Sequence, residues 1–295
     1  MLKLQTPVAD ARCRVGISYD DSIMMLGSCF SDNIGKQLAD FGFNVCVNPF
    51  GTLYNPASIL NSVRRLIDCC LFTAEDCVEI GAGDGRICSF SHHTSFARPD
   101  SEAFIQNANS SLAEASAFFR KCSKVVITFG TSWCFRHLET DMIVSNCLKR
   151  DAKEFVREFL PSDATATIIR EIMDLCQKAQ GEIEGFVPKS FIFTVSPIRH
   201  FKDGAHGNQL SKSALLLGID AVMSDNCDYF PAYEIVMDQL RDYRFYAEDM
   251  CHPTQQTVDY IRERFLQWAL PLSEHQILEE NVRAFKRKSH IFLNF

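Results

Sequence analysis

The 295-residue chain lacks the features of a membrane, secreted or nucleic-acid-binding protein. No stretch approaches the ~18 consecutive apolar residues of a membrane-spanning helix, and the amino-terminal segment 1–8 has no apolar signal-peptide core. Lysine and arginine form no run longer than three residues, and the formal net charge is −7, which disfavours nucleic acid and anionic membranes as partners. Together these absences predict a cytoplasmic protein.

The thirteen cysteines form no disulfide or metal-binding pattern. Their number is odd, they are scattered along the chain, and no CxxC occurs. Cys88 with His92 and His93 comes nearest to a set of metal ligands, but nothing completes the set at the spacing of a zinc site. We therefore expect reduced thiols that pack as small core residues, and neither a metal site nor a cofactor.

The chain also lacks serine-rich linkers, repeats and low-complexity segments. With 46% hydrophobic residues it can bury a large core. Strands that alternate with helices predict a parallel sheet covered on both faces, and thus one α/β domain over residues 1–295. We expect its core at about 20–270, with a small helical or hairpin insertion, and a helical extension at 271–295.

Apolar runs and helical periodicity predict the individual elements. Largely apolar runs, typical of strands buried on both faces, occur at 23–26, 124–129 and 191–195, and 43–47 is also predicted as a strand. A glycine-rich turn between short strands at 77–80 and 86–90 predicts a hairpin. Apolar positions at helical spacing predict helices at about 34–41, 57–70, 102–121, 151–160, 164–180, 211–223, 254–270 and 273–286.

The turn after the first predicted strand, Ile23–Leu26, carries two nucleophile-capable side chains. Gly27 allows the backbone to turn sharply, and a polar residue within Ser31–Asn33 is expected to cap a helix that begins near residue 34. Ser28 and Cys29 then lie between the carboxyl end of a strand and the amino end of a helix. Ligands bind at such places in open α/β sheets, because free amides and the helix dipole stabilise negative charge.

Late in the chain, Asp249 and His252 are separated by two residues on a predicted loop. An aspartate at this spacing can orient an imidazole, hold one tautomer and stabilise the cation that forms when the histidine accepts a proton. Pro253 fits the first turn of the helix that follows. Since a histidine of this kind activates a hydroxyl or a thiol, we expect it to meet Ser28 or Cys29 at one site.

Gly27-Ser28-Cys29-Phe30-Ser31 is similar to the signature of the GSCFA-domain proteins, and the resemblance extends over about residues 20–270. Its further blocks are Asn48-Pro49-Phe50-Gly51-Thr52, Asn146-Cys147, Ser196-Pro197-Ile198-Arg199-His200, Asn208-Gln209-Leu210-Ser211-Lys212 and the segment 243–252. That family resembles a branch of the SGNH, or GDSL-like, hydrolases. The resemblance implies a three-layer αβα sandwich of flavodoxin-like type with a mostly parallel sheet.

The resemblance also implies roles for individual residues. In register with the Gly-Asp-Ser of the superfamily, Cys29 takes the place of the nucleophilic serine and Ser28 that of the aspartate. A turn shifted by one residue would instead make Ser28 the nucleophile. His252 and Asp249 match the late Asp-x-x-His, and the amides of Cys29 and Gly51 match two donors of the oxyanion hole.

One block departs from the superfamily. Where the superfamily has Gly-x-Asn-Asp, the chain has Gly130-Thr131-Ser132-Trp133, so that one amide donor is missing. A hydroxyl of Thr131 or Ser132, or the side chain of Asn48, is a candidate substitute. The loss matters because removal of one oxyanion donor costs ~100–1,000-fold in rate.

The function implied is that of a hydrolase or acyltransferase acting on an acyl ester, with a small-molecule or glycan ester as substrate. An O-acylated carbohydrate is suggested by analogy alone, since a fold does not fix a substrate. Arg199 and His200 are candidates for binding an anionic group, although an arginine that ties loops together fits the sequence equally well. The alternatives are a catalytically silent ligand-binding protein and a thiol redox or thioester-carrier role for Cys29.

Overall fold

The computed structural model describes residues 6–8 and 13–292, with side chains as far as Lys288. Its strands are β1 (Ser22–Gly27), β2 (Asn44–Val47), β3 (Val78–Glu79), β4 (Ile87–Cys88), β5 (Lys124–Phe129), β6 (Trp133–His137), β7 (Ile143–Val144), β8 (Phe155–Phe159), β9 (Ser190–Val195) and β10 (Cys227–Phe230). The central sheet has the order β10-β9-β5-β1-β2, and all of its strand pairs are parallel. Numbered among themselves, these five strands follow the order 2-1-3-4-5 of flavodoxin-like sheets, as predicted.

Helices connect these strands and cover both faces of the sheet. They are α1 (Cys29–Asp40), α2 (Pro56–Asp68), α3 (Ser101–Lys121), α4 (Ser162–Glu182), α5 (Gly204–Asp220), α6 (Ala232–Glu234, continued by a π-helix over Ile235–Leu240), α7 (Gln255–Ala269) and α8 (His275–Phe292). Within the described part of the chain, no helix has the length and apolar character needed to cross a membrane.

Two hydrophobic clusters, one on each face of the sheet, make up the core. Successive residues of β1 point to opposite faces, so that Met24 and Leu26 pack with α2 to α5 while Ile23 and Met25 pack with α1 and α7. All four side chains are at most 1% exposed. This burial on both faces accounts for the continuous apolar run in the sequence and confirms the three-layer αβα architecture.

A second sheet, antiparallel and in the order β7-β6-β8, lies in the connection between β5 and α4. The helix predicted at 151–160 is wrong, because a short 3₁₀ turn and then β8 occupy that range. Phe155, Arg157 and Phe159 alternate along one face of β8, where Phe155 packs on His137 at 5.4 Å and the other two pack on Trp133. This period of two, obscured by the helix-favouring residues before it, specifies a strand.

Helix α1 begins earlier than the sequence predicts. Its first residue is Cys29 and its amino-terminal cap is Ser28, whose hydroxyl accepts a hydrogen bond from the Phe30 amide at 3.3 Å. The predicted cap within Ser31–Asn33 is therefore wrong, since those residues already belong to the helix. The correction places the Cys29 side chain in the first helical turn, directly after β1. The other predicted helices and the β3–β4 hairpin are confirmed.

Candidate functional site

The turn between β1 and α1 is built into the sheet. Gly27 has a φ of +136°, and a Cβ at this position would lie 2.1 Å from the carbonyl oxygen of Thr128 on β5. The Gly27 amide donates to Oδ1 of Asn48 at 2.8 Å, and its carbonyl accepts from the Leu53 amide at 2.8 Å. Only glycine fits this conformation and this close approach, which bring the turn against the neighbouring strand.

The two nucleophile candidates differ in environment. Ser28 is 1% exposed, and its hydroxyl serves as the helix cap. Cys29 is partly exposed, and its Sγ lies 3.3 Å from the hydroxyl oxygen of Tyr54. The backbone amide of Cys29 is among the first of the helix and has no intrahelical acceptor. A thiol and a free amide are thus present at the same residue.

Tyr54, which sequence reasoning did not select, contacts the thiol directly. Its hydroxyl also accepts a hydrogen bond from Thr52 Oγ1 at 3.2 Å. Burial, and after it the hydrogen bond with Cys29, raise the pKa of Tyr54 to about 12. The phenol therefore stays protonated at neutral pH and can donate its proton toward the sulfur of Cys29.

Asp249 and His252 form a hydrogen-bonded pair on the loop before α7. The His252 Nδ1 lies 2.5 Å from Asp249 Oδ2, while the amides of Cys251 and His252 donate to Asp249 Oδ1, each at 2.9 Å. The backbone donors, and after them the imidazole, lower the pKa of Asp249 to about 2. The carboxylate therefore stays ionised and holds Nδ1 of the imidazole, which leaves Nε2 as the atom that can exchange a proton.

A cleft of about 860 Å³ at the carboxyl edge of the sheet joins these residues. Ser28, Cys29, Tyr54, Asp249 and His252 all line it, although no hydrogen bond joins Cys29 to His252 in the described structure. The walls come from the β6–β7–β8 sheet and from the segment after β9. They include Trp133, Cys134, Phe135, Val144, Ser145, Asn146, Cys147, Arg157, Ile198, Arg199, His200, Phe201, Lys202 and Asp203.

Asn48 and Gly51, both expected near an oxyanion, do not line this cleft. The Asn48 side chain accepts from Gly27 and donates to Asp32 Oδ1 at 2.5 Å, so it ties the end of β1 to α1. The Gly51 amide donates to the Asn48 carbonyl at 2.7 Å, and a Cβ at Gly51 would lie 2.4 Å from the Cβ of His93. This placement gives both residues a role in the loop and does not support them as oxyanion donors.

The two hydroxyls considered for the missing donor are placed differently. Thr131 lines the cleft, and its hydroxyl accepts from the Trp133 amide at 3.0 Å and lies 3.0 Å from the Ser211 hydroxyl. Ser132 is 0% exposed, and its hydroxyl has no hydrogen-bond partner in the described structure. Thr131 therefore remains a candidate, whereas Ser132 lies beneath the surface of the cleft.

A cleft-lining amide that the sequence reasoning missed is Asn55. Its Oδ1 accepts from the Ser58 amide at 2.8 Å as the cap of α2, and no hydrogen bond occupies its Nδ2 among the described residues. Asn146, from the Asn146-Cys147 block, also lines the cleft, and its Oδ1 accepts a hydrogen bond from the Leu148 amide. Both side chains can donate an N–H to a bound oxygen. An asparagine directly before Pro56 predicts a cap, but nothing local shows where its amide group points.

Arg199 and His200 both line the cleft, on the segment that follows β9. The His200 ring lies 6.3 Å from that of Tyr54. Burial, and after it the charges of Lys212 and His252, lower the pKa of His200 to about 4, so that its imidazole is neutral at neutral pH. Lys212, fully buried, donates to the carbonyls of Gly130 at 2.6 Å and Ser196 at 2.8 Å and thereby joins the ends of β5 and β9.

The described residues contain no group of three or more histidine, cysteine, aspartate or glutamate side chains arranged to hold a metal ion. His92, considered above with Cys88 and His93, is 1% exposed, and its Nδ1 lies 2.7 Å from the Ser89 hydroxyl. Burial lowers the pKa of His92 to about 3, which keeps it neutral among the aromatic rings around it. Its role is one of packing.

Comparisons with known proteins add the following. This chain is similar to a solved structure of a mutant of Axe2, an acetyl-xylooligosaccharide esterase from Geobacillus Stearmophilus. The two sequences are 10% identical, and the TM-score is 0.43. The match covers 88% of this chain and 97% of that chain. No curated protein matches. The GSCFA family matches residues 22–265, which is most of the chain and includes both Cys29 and His252. The chain belongs to the GSCFA family.

Proposed function

We propose that the protein is an acyl-ester hydrolase or acyltransferase of the SGNH type, with Cys29 as nucleophile, His252 as general base and Asp249 as the residue that orients the imidazole. The observation that carries the proposal is the shared cleft. A partly exposed thiol at the end of β1 and a hydrogen-bonded Asp249–His252 pair line the same cavity at the carboxyl edge of the sheet. Ligands bind at this edge in open α/β sheets.

Cys29 is a better candidate than Ser28 because its side chain is available. The Ser28 hydroxyl is buried and occupied as a helix cap, whereas the Cys29 thiol lies in the cleft beside the Tyr54 hydroxyl. The phenol can donate a hydrogen bond to the sulfur, and the amino end of α1 lies at the same residue.

Attack forms a bond between Sγ and the carbonyl carbon, the thiol proton passes to Nε2 of His252 directly or through one water, and the carbonyl electrons move to oxygen. We assign the oxyanion to the Cys29 amide and to Nδ2 of Asn55, with the Thr131 hydroxyl as a further donor. Collapse of this intermediate expels the alcohol, which takes the proton from the imidazolium of His252, and leaves a thioester at Cys29. Neutral His252 then removes a proton from water, or from an acceptor alcohol in a transferase, whose oxygen bonds to the acyl carbon. The bond between the acyl carbon and Sγ breaks, and His252 returns the proton to the sulfur.

The competing function is that of a silent ligand-binding protein. The specific observation in its favour is that Cys29 and His252 share no hydrogen bond, and that Gly51 lies away from the cleft. Catalysis requires the proton to pass between thiol and imidazole directly or through one water. A binding protein requires only the cleft, whose aromatic wall, with Trp133, Phe135 and Phe201, is compatible with a sugar or an acyl chain.

Intact mass after incubation with a panel of activated acyl esters tests the proposal. We expect one acyl group per chain at Cys29, no label in Cys29→Ala, and a fall in kcat/KM of at least ~1,000-fold in that variant. Ser28→Ala should keep the label and lose only the stability of a helix cap, ~1 kcal/mol. Cys147→Ala is the matched control, since burial raises the pKa of that cleft thiol to about 11 and keeps it unreactive.

The variant Asn55→Asp distinguishes the two roles of Asn55, the cap of α2 and the proposed hydrogen bond to the oxyanion. Aspartate also caps a helix, so the fold should be kept, while the loss of the N–H donor and the new charge should slow acyl transfer by ~100-fold. Labelling at Ser28 instead of Cys29 would move the nucleophile by one residue. The absence of any acyl label, together with no ester turnover above background in the unmodified protein, would leave the binding-protein function.

A further inference from the structure

The guanidinium of Arg199 has no counter-charge. No carboxylate of the described residues lies within ion-pair distance of it, and its Nε is buried without a hydrogen-bond partner. The guanidinium stacks on the Phe201 ring, with 4.7 Å between its carbon and the ring centroid. By contrast, the other arginine of the cleft, Arg157, is paired with Asp203 and stacked on Trp133. Partly buried charges in proteins are normally paired, so that Arg199 is an exception.

The side chains around Arg199 are neutral or positive. Burial raises the pKa values of Tyr233 and Tyr246, both of which lie within electrostatic range of the guanidinium, so that their phenols are uncharged. These hydroxyls already donate elsewhere, that of Tyr233 to Gln209 at 2.6 Å and that of Tyr246 to the sulfur of Met237 at 3.4 Å. The fully buried amine of Lys212 lies near the same guanidinium. Apart from the face of the Phe201 ring, no described group at ion-pair or hydrogen-bond distance compensates the positive charge.

The backbone holds Arg199 beside the proposed reaction centre. Its amide donates to the carbonyl of Cys251 at 3.1 Å, and Cys251 directly precedes His252. Lys202, three residues further on, adds a second cation that lines the cleft, whereas the carboxylates there are already engaged, Asp203 by Arg157 and Asp249 by His252. The cleft is thus a positive region on a chain whose net charge is −7.

We propose that Arg199 binds an anionic oxygen group, a carboxylate or a phosphate, on the ester that the protein acts upon. The inference rests on the proposed acyl transfer at Cys29 and names its substrate class. A guanidinium offers a planar fork of N–H donors that matches such groups, and a hydrogen bond between two charged groups in a partly dry site is stronger than a neutral one. An arginine that only ties loops together would donate from its guanidinium to backbone carbonyls or carboxylates, and the Arg199 guanidinium makes no such bond within the described structure.

The experiment compares three 4-nitrophenyl esters whose acyl chains have the same length and end in a carboxylate, a phosphate or a methyl group. In the unmodified protein, we expect kcat/KM for one of the anionic esters to exceed that for the methyl ester by at least ~10-fold. The terminal group that gives the larger ratio identifies the anion. In Arg199→Gln this ratio should fall by at least ~10-fold, and Arg199→Lys should recover part of it, since lysine keeps the charge without the planar fork.

Lys202→Gln is the matched control, because it removes the same charge from the same loop at an exposed position. There we expect the ratio to fall by less than ~3-fold, and less still at 0.5 M salt, where exposed charges are screened. An equal loss for all three esters in Arg199→Gln, or an equal fall of the ratio in both variants, would overturn the inference.

Direct binding keeps this test independent of catalysis. Calorimetric titration with succinate and with inorganic phosphate should show saturable binding of one of them to the full chain, weakened at least ~10-fold in Arg199→Gln. If no ester is turned over but this binding is present, the proposed acyl transfer fails while the anion site stands. Turnover of the methyl ester with no preference for either anion, and no binding that depends on Arg199, would leave the acyl transfer and refute the anion site.

Discussion

The two halves of the proposed catalytic site differ in how the fold holds them. The turn that carries Cys29 is tied to neighbouring segments, since the Gly27 amide donates to Asn48 and the Ser28 amide donates to the Thr128 carbonyl at 3.2 Å. The loop that carries His252 is half-exposed and bonds mainly to itself. The side-chain exposures of His252 and Asp249 are 54% and 50%, and the Ala247 amide donates to the carbonyl of His252 at 2.8 Å.

Because of this difference, we expect the turn to contribute to the stability of the fold and the loop to contribute mainly to the proposed reaction. The sheet fixes the turn that carries the proposed nucleophile, so that a change in the backbone of this turn acts on the whole fold. The Asp249–His252 loop reaches the rest of the site through few bonds, among them the one from the Arg199 amide to Cys251. Segments with exposed hydrogen bonds and little buried apolar surface open at low cost in free energy. We therefore expect a side chain at Gly27 to destabilise the whole fold and substitutions in the loop to leave it folded.

The largest effect is expected for Gly27→Ala. Its Cβ would lie 2.1 Å from the Thr128 carbonyl oxygen at a φ of +136°, so that β1 must move away from β5. We expect a loss of at least ~3 kcal/mol in the free energy of unfolding, measured by urea denaturation. Gly83→Ala is the control, because Gly83 also has a positive φ, +72°, but no atom lies within 4 Å of its Cβ position. There we expect ~1 kcal/mol, and equal losses at both positions would contradict the explanation.

A smaller, pH-dependent effect is expected for Lys212→Met. Burial lowers the pKa of Lys212 from 10.5 to about 7. Between pH 7 and pH 9 the unfolded chain therefore keeps a proton that the folded chain has lost, and the free energy of unfolding rises with pH. The wild type should gain ~1–2 kcal/mol over this interval relative to Lys212→Met. Lys202→Met should follow the wild type, and a parallel pH dependence in Lys212→Met would show that Lys212 does not titrate there.

The smallest effect on stability is expected for Asp249→Asn. The carboxylate lies at the surface, and asparagine can still accept from the amides of Cys251 and His252. The urea midpoint should therefore stay at its wild-type value, while acyl transfer slows ~10–100-fold because the imidazole is no longer held by a charge. A shift of the midpoint as large as that of Lys212→Met would mean that the loop supports the fold, and the contrast between the two regions would fail.

The sequence predicts the buried sheet well and its surroundings less well. The strands β1, β5 and β9 are continuous apolar runs, because both of their faces are covered, and such runs are visible without any partner. The strands β6 and β8 are not continuous apolar runs, because Arg136 lies in β6 and Arg157 and Glu158 lie in β8. The alternation of side chains that defines each of these strands extends over only five residues. Their pairing with each other, and not their composition, makes them strands.

The candidate site follows the same rule. Asp249 and His252 are close in sequence, so that their spacing predicts a pair which the structure joins at 2.5 Å. The roles of Tyr54 and Asn55 depend on contacts between distant segments, which no local pattern records. Arg199 is a candidate from the sequence, but only the structure shows that its guanidinium is unpaired. Spacing in the sequence therefore predicts a pair of residues that lie on one loop, such as Asp249 and His252. Contacts between distant segments, which spacing does not show, determine the side chains that surround such a pair.

The position of Gly27 between β2 and β5 has a consequence for the order of events during synthesis. Cys29 is made before β5, β1 can pair with β5 only after β5 has been made, and His252 follows later still. Long-range parallel pairing forms slowly, because a large loop must close before its contacts form. Until His252 is made, the growing chain carries the thiol of Cys29 without the imidazole. The proposed acyl transfer can begin only when nearly the whole family region has been made, so that this activity would report completed folding.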